Sequence, residues 1–184
     1  MSSPPPLSSI RLQVRSGARD PLRFPQDDDA LGESLFDLFS EALEQGLPRP
    51  ALLVFRPEQV EQIDALPIMR LPPPLGMRLM SAAAGQDGVD CVALVAALTV
   101  RTGPRTGARA AVVYLEWPDN RWWSCWQPMD DRRELLGDEP AVRRAVEGWP
   151  KPGGLGGWFA MARRLGLRLQ VRPVDQTEAG ETIH

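Results

Sequence analysis

Alternation of apolar and polar positions is strongest between residues 109 and 127. There Arg109 to Trp117 and Arg121 to Gln127 read as two strands joined at Pro118-Asp119-Asn120. With Asp119 and Asn120 in a two-residue turn, Trp117 pairs opposite Trp122. Period-2 alternation then puts Val113, Leu115, Trp117, Trp122 and Trp126 on one face and Glu116, Trp123 and Cys125 on the other. Four of the six tryptophans lie in this hairpin, so at least one of its faces needs a cover. The cover is either the protein's own helices or a partner.

The same reading extends along the chain. Residues 10–15 alternate as a short half-exposed strand. Leu31, Leu35, Leu38, Phe39, Ala42 and Leu43 share one helical face after the acidic run Asp27–Asp29, and Gly46 stands where that helix should end. Ala51 to Phe55 is a continuous apolar run, as expected of a buried strand. Pro57 can open a helical turn with Val60 and Ile63 facing inward, closed at Pro67. Leu71-Pro-Pro-Pro-Leu75 reads as an extended connector, because a residue before proline is pushed out of the helical region.

Met77 to Ala83 and Val89 to Val100 complete, with the hairpin, four strand candidates joined by short glycine-containing links, the pattern of an antiparallel meander. Val92 to Val100 is apolar on both alternating sets, which suits a central strand covered on two sides. A helix from about 139 carrying Val142, Ala145, Val146 and Trp149, a Pro/Gly-rich break, a helix at 158–165 ended by Gly166, and a last strand at 167–171 follow. No internal repeat interrupts this order. The expectation is α+β: a single domain over residues 10–174, an antiparallel meander of about four to six strands covered by two to four helices, with a leader at 1–9 and a tail at 175–184.

Composition sharpens the picture in three places. The chain has 184 residues, 43% of them apolar, enough for one proper core. A net charge of -3 provides no global attraction to nucleic acid or to an anionic membrane. Lys151 is the only lysine, and with plentiful Ala, Pro and Gly the composition looks like the coding bias of a GC-rich bacterium, so arginine here is expected to be first of all the ordinary solubilising cation. The N-terminus lacks the pattern of a secretory signal and no apolar run is long enough for a membrane span, so the expectation is a cytoplasmic protein. Cys91 and Cys125 fall about four strand positions apart in the expected pairing, on the order of 13 Å and beyond bridging range, and are expected to be free thiols.

The chemistry on offer is narrow. The single histidine, His184, is the last residue, on a polar tail that gives it no fixed geometry for general-base or metal-ligand work. Cys125 lacks a histidine partner, and the nearest cations in sequence are Arg121, Arg132 and Arg133. Asp27, Asp28 and Asp29 could hold a magnesium ion, but their place before a helix points to capping. Gly153 to Gly157 fits neither a phosphate loop nor a dinucleotide fingerprint and reads as a hinge. No catalytic residue, metal site or cofactor is therefore expected.

What remains is recognition. The expected function is a non-catalytic protein-interaction module, of adaptor, chaperone-like or immunity type, binding a protein partner through the hairpin. Trp123 is the expected exposed anchor, with Arg121 beside it, Glu116 pointing to solvent, and Arg101 and Arg105 in a cationic connection. The alternative is a small-ligand or nucleotide/anion-sensing domain using Arg101, Arg105 or the glycine-rich loop as an anion cradle. An enzyme would have to rely on carboxylate or cysteine chemistry. The two leading readings separate on structure: an arginine-lined pocket favours a ligand, and an apolar patch around Trp123 favours a protein.

Overall fold

Among the described residues, seven antiparallel strands form one sheet in the order β1-β3-β2-β4-β5-β6-β7. The strands are β1 Val14–Ala18, β2 Ala51–Phe55, β3 Gln59–Asp64, β4 Cys91–Arg101, β5 Gly107–Glu116, β6 Trp122–Pro128 and β7 Ala141–Arg144. The helices are α1 Asp28–Glu44, α2 Leu66–Met69, α3 Pro73–Ala84 and α4 Trp158–Leu165. This computed structural model describes residues 12–46, 48–101, 107–132, 134–137, 140–144 and 156–169, with backbone only at 100, 101 and 141–144. The fold is α+β, with β4 to β7 as the meander. The expected leader, the tail with His184, Arg105 and most of the glycine-rich loop lie outside the described residues.

The sheet has a core on each face. Leu31, Leu35, Phe36, Phe39 and Leu43 of α1 pack on Leu53, Phe55, Ala93, Val113, Leu115 and Trp123. On the opposite face Leu52, Val54, Val92, Leu94, Tyr114 and Trp122 meet Ile68 of α2, Leu79, Met80 and Ala83 of α3, and Trp158 and Phe159 of α4. Two-sided burial explains why β2 is apolar at every position, since both of its alternating sets lie in a core.

It also explains the first departure from expectation. Val60 and Ile63 are three residues apart and were expected on one helical face, yet residues 59–64 are strand β3. In a strand they point to opposite sides, Val60 into the α1 core and Ile63 into the other. Two buried faces satisfy both, so a helix-like spacing carries no helix here. Pro57 lies in the tight link where Arg56 N donates to Gln59 O at 2.8 Å.

Further segments differ from expectation. Residues 77–83 belong to α3 rather than to a strand: Pro72 is extended (ψ 136°), and Pro73 and Pro74 occupy the first turn, where backbone N–H groups have no helical acceptor. The Leu71–Leu75 segment is therefore a helix entry. Residues 141–144, expected as helix, pair with Trp123–Trp126 as β7, because the open edge of β6 offers hydrogen bonds that a short helix after Pro140 would lack. Residues 167–169 are coil: Leu167 N donates to Ala162 O at 3.0 Å and Leu169 N to Ala82 O at 2.9 Å. The expected strand at 10–15 begins at Val14.

The hairpin differs by one residue. Trp117 N donates to Arg121 O and Asn120 N to Trp117 O, both at 3.0 Å, so the turn holds three residues, Pro118, Asp119 and Asn120. Asn120 adopts the left-handed region (φ 68°), and proline's fixed φ suits the first turn position. The register becomes Glu116↔Trp122 and Leu115↔Trp123. A one-residue slip exchanges faces, so Trp123 joins Val113, Leu115 and Trp117 under α1, while Trp122 and Trp126 share the other face with Tyr114 and Glu116.

Candidate functional site

Glu116 is fully buried at the end of β5. Its Oε2 accepts from Tyr114 Oη at 3.1 Å and from Gly157 N at 2.7 Å, and its Oε1 accepts from Phe159 N at 3.3 Å. Gly157 and Phe159 open α4, whose own sequence supplies no side-chain cap. A strand carboxylate thus caps a helix more than forty positions away in sequence, where the positive end of the helix favours it. This corrects the expectation that Glu116 points to solvent. Tyr114 stacks on Trp122 and meets Trp158 edge-on at 5.1 Å, and burial with the adjacent carboxylate raises its hydroxyl pKa.

Trp123 is 2% exposed and is a core residue, which removes it as a surface anchor. Its ring lies against Gly32 of α1, where an added Cβ would come within 2.5 Å of the indole. Arg121 is exposed at the turn; it lies over the Trp117 ring at 5.3 Å, pairs with Asp119 at 2.6 Å and also bonds Asp28 of α1. Arg101 ends β4 opposite Gly107, with its side chain outside the described part. The structure therefore brings Trp123, Glu116 and Arg121 to one hairpin end but sends them to one core, the other core and the surface.

Cys91 and Cys125 are both free and buried. Burial pushes the Cys125 thiol up to about 12, with Asp37 and Glu33 adding to it, and raises Cys91 well above the ordinary range. Both stay protonated at neutral pH and are held away from reagents. No cluster of three or more metal-ligating side chains occurs among the described residues, and no described helix is long and apolar enough to cross a membrane.

Two surface features remain, and sequence reasoning missed both. The first is the outer face of α1. The helix carries six carboxylates and no arginine or lysine. Glu33, Asp37, Glu41 and Glu44 are exposed, and none has a cation within ion-pair distance among the described residues. At about 100° per residue the four fall within about 80° of the helix circumference. The spacing was visible in the sequence; that no arginine among the described residues pairs with it was not.

The second is a groove of about 380 Å³ between the α3–β4 link and α4. Gln86, Asp87 and Gly88 line one side and Phe159, Arg163 and Arg168 the other. Arg163 donates to Pro118 O at 2.8 Å and to Asn120 Oδ1 at 3.2 Å, tying α4 to the hairpin turn. Gly85 permits the close approach of the walls, since a Cβ there would come within 2.0 Å of Leu167 O.

No protein-family model, curated protein or solved structure matches this chain. Function therefore has to be argued from the chemistry of these surfaces.

Proposed function

We propose that this protein is a non-catalytic interaction module that presents the outer face of α1, in place of the hairpin whose Trp123 is buried, to a cationic surface on a protein partner, while the arginine-lined groove serves a separate small ligand. The observation that carries the reading is the exposed run of Glu33, Asp37, Glu41 and Glu44, which has no ion-pair partner among the described residues. Like charges three or four residues apart each destabilise a helix by about 0.2–0.5 kcal/mol, and Glu41 and Glu44 lie toward the C-terminal end, where the helix dipole disfavours anions. An arginine-rich chain in which no described cation pairs with this face keeps an arrangement whose benefit lies outside the molecule: a potential that steers and orients a basic partner. Two further facts favour recognition over catalysis. The thiols are sealed in the core, and Glu116 is engaged in capping α4.

The test compares proteins retained from a native lysate by the wild-type chain and by an E33Q/D37N/E41Q/E44Q variant, at low and high salt. The expected result is a basic protein held by wild type, released as salt rises, and lost from a variant that remains folded. Retention of the same proteins by the folded variant, or no salt-sensitive partner at all, overturns the reading.

A further inference from the structure

We infer that the groove between the α3–β4 link and α4 is a binding site for a small organic carboxylate carrying an apolar body, a function separate from the α1 face. Three observations carry this.

The first is an unused donor in the wall. Gln86 Nε2 is buried and has no hydrogen-bond acceptor among the described residues, although its Oε1 accepts from Arg56. A buried amide N–H without an acceptor is costly, and the residue that carries it belongs to the groove lining.

The second is the support behind that wall. Arg56 bonds Gln86 Oε1, reaches Asp87 O at 3.5 Å, and pairs with Glu61 on β3 at 3.1 Å. Arg56 is mostly buried, so the link that forms the wall is held from the sheet side. A receptor group held in this way needs little reorganisation when a ligand arrives.

The third is the balance of charge and apolar surface in the lining. Arg163 and Arg168 line the groove against one carboxylate, Asp87, so the lining is net positive in a chain of net charge -3. Arg168 pairs with Asp87 at 2.9 Å, but both side chains are largely exposed, at 65% and 84%, and such a pair exchanges readily for a ligand anion. Phe159, Val89 and Leu167 supply apolar surface beside it. The volume lies within the usual range for small-molecule sites. A carboxylate is the group that accepts at once from a planar guanidinium and an amide, and the apolar lining selects a body over a bare anion.

The experiment is an amide-resolved NMR titration of the full chain with benzoate and hexanoate, run beside benzamide, hexanol and inorganic phosphate. Saturable shifts at Asp87, Gly88 and Arg168 with the carboxylates, absent or much weaker with the neutral analogues and phosphate, are expected. R168Q, at an exposed position, and Q86L should each weaken carboxylate binding by about tenfold or more. R164Q, a neighbouring exposed arginine outside the groove lining, should leave it unchanged, with circular dichroism showing that all variants are folded. Lack of saturation, equal binding of a neutral analogue or phosphate, or full affinity in R168Q overturns the inference. The E33Q/D37N/E41Q/E44Q variant should bind carboxylates as wild type does, which separates failure here from failure of the α1 reading.

Discussion

Gly32 shows how closely one position is set by its neighbour. It lies on the buried face of α1 in contact with the Trp123 indole, so α1 can settle on the sheet only where no side chain intervenes. Replacing it with alanine removes a residue of poor helix propensity, yet the new methyl would overlap a ring held on all sides. Overpacking of this kind costs about 1–3 kcal/mol, more than the roughly 1 kcal/mol gained in propensity. G32A should therefore lower the urea midpoint, and a midpoint equal to or above wild type would show that the ring can yield. Arg19 teaches a similar lesson. Composition argued that arginine here serves mainly as a solubilising cation, but the Arg19 side chain is 5% exposed, donates to the carbonyls of Phe24, Pro25 and Arg56, and lies over Phe55 at 5.3 Å. No pattern around residue 19 announces this, because its partners come from a turn and from the end of another strand.

Among elements, the β5–β6 hairpin decides the most. Both strands were legible from alternation, but their register depends on whether the turn holds two residues or three. Pro118 and the left-handed Asn120 select three, and that single count moves Trp123 into the α1 core and Glu116 to the cap of α4. Asn120 tolerates positive φ far better than a β-branched residue, and its side chain also accepts from Arg163. N120V should destabilise the fold by about 1–2 kcal/mol, whereas N120G should stay near wild type; equal stability of N120V in denaturant titration would contradict the turn described here. α1 was legible through its 3.6-residue period, and its Asp27 cap, accepting from Ala30 N at 2.9 Å, follows from residue type and place. β3 was not legible, because a strand buried on both faces loses its alternation. Nor was β7, whose partner edge is a tertiary fact.

For the whole molecule, the two sealed thiols and Tyr114 predict a shape for stability against pH. Each group ionises at a higher pH in the folded state than in the unfolded chain, so the folded state retains protons that the unfolded state gives up. The contribution is complete below the unfolded thiol value, near 9, and is lost as pH rises toward about 12 for Cys125. Unfolding free energy should fall above pH 9 by about 1.4 kcal/mol per unit for each such thiol. A C125A variant should show a shallower decline. Flat wild-type stability between pH 9 and 11 would mean the thiols are not sealed.

The sequence by itself determined the class of the fold, the first helix with its cap, the central strands, the helix at 158–165 and the free state of both cysteines. These are local matters of periodicity, capping and reach along the chain. Only the tertiary structure decided the register of the hairpin, the strands at 59–64 and 141–144, the capping of α4 by Glu116, and the placement of charge. Each of these depends on which surfaces meet across distant parts of the chain, and a side chain's exposure, partner and ionisation follow from that meeting rather than from its neighbours in sequence.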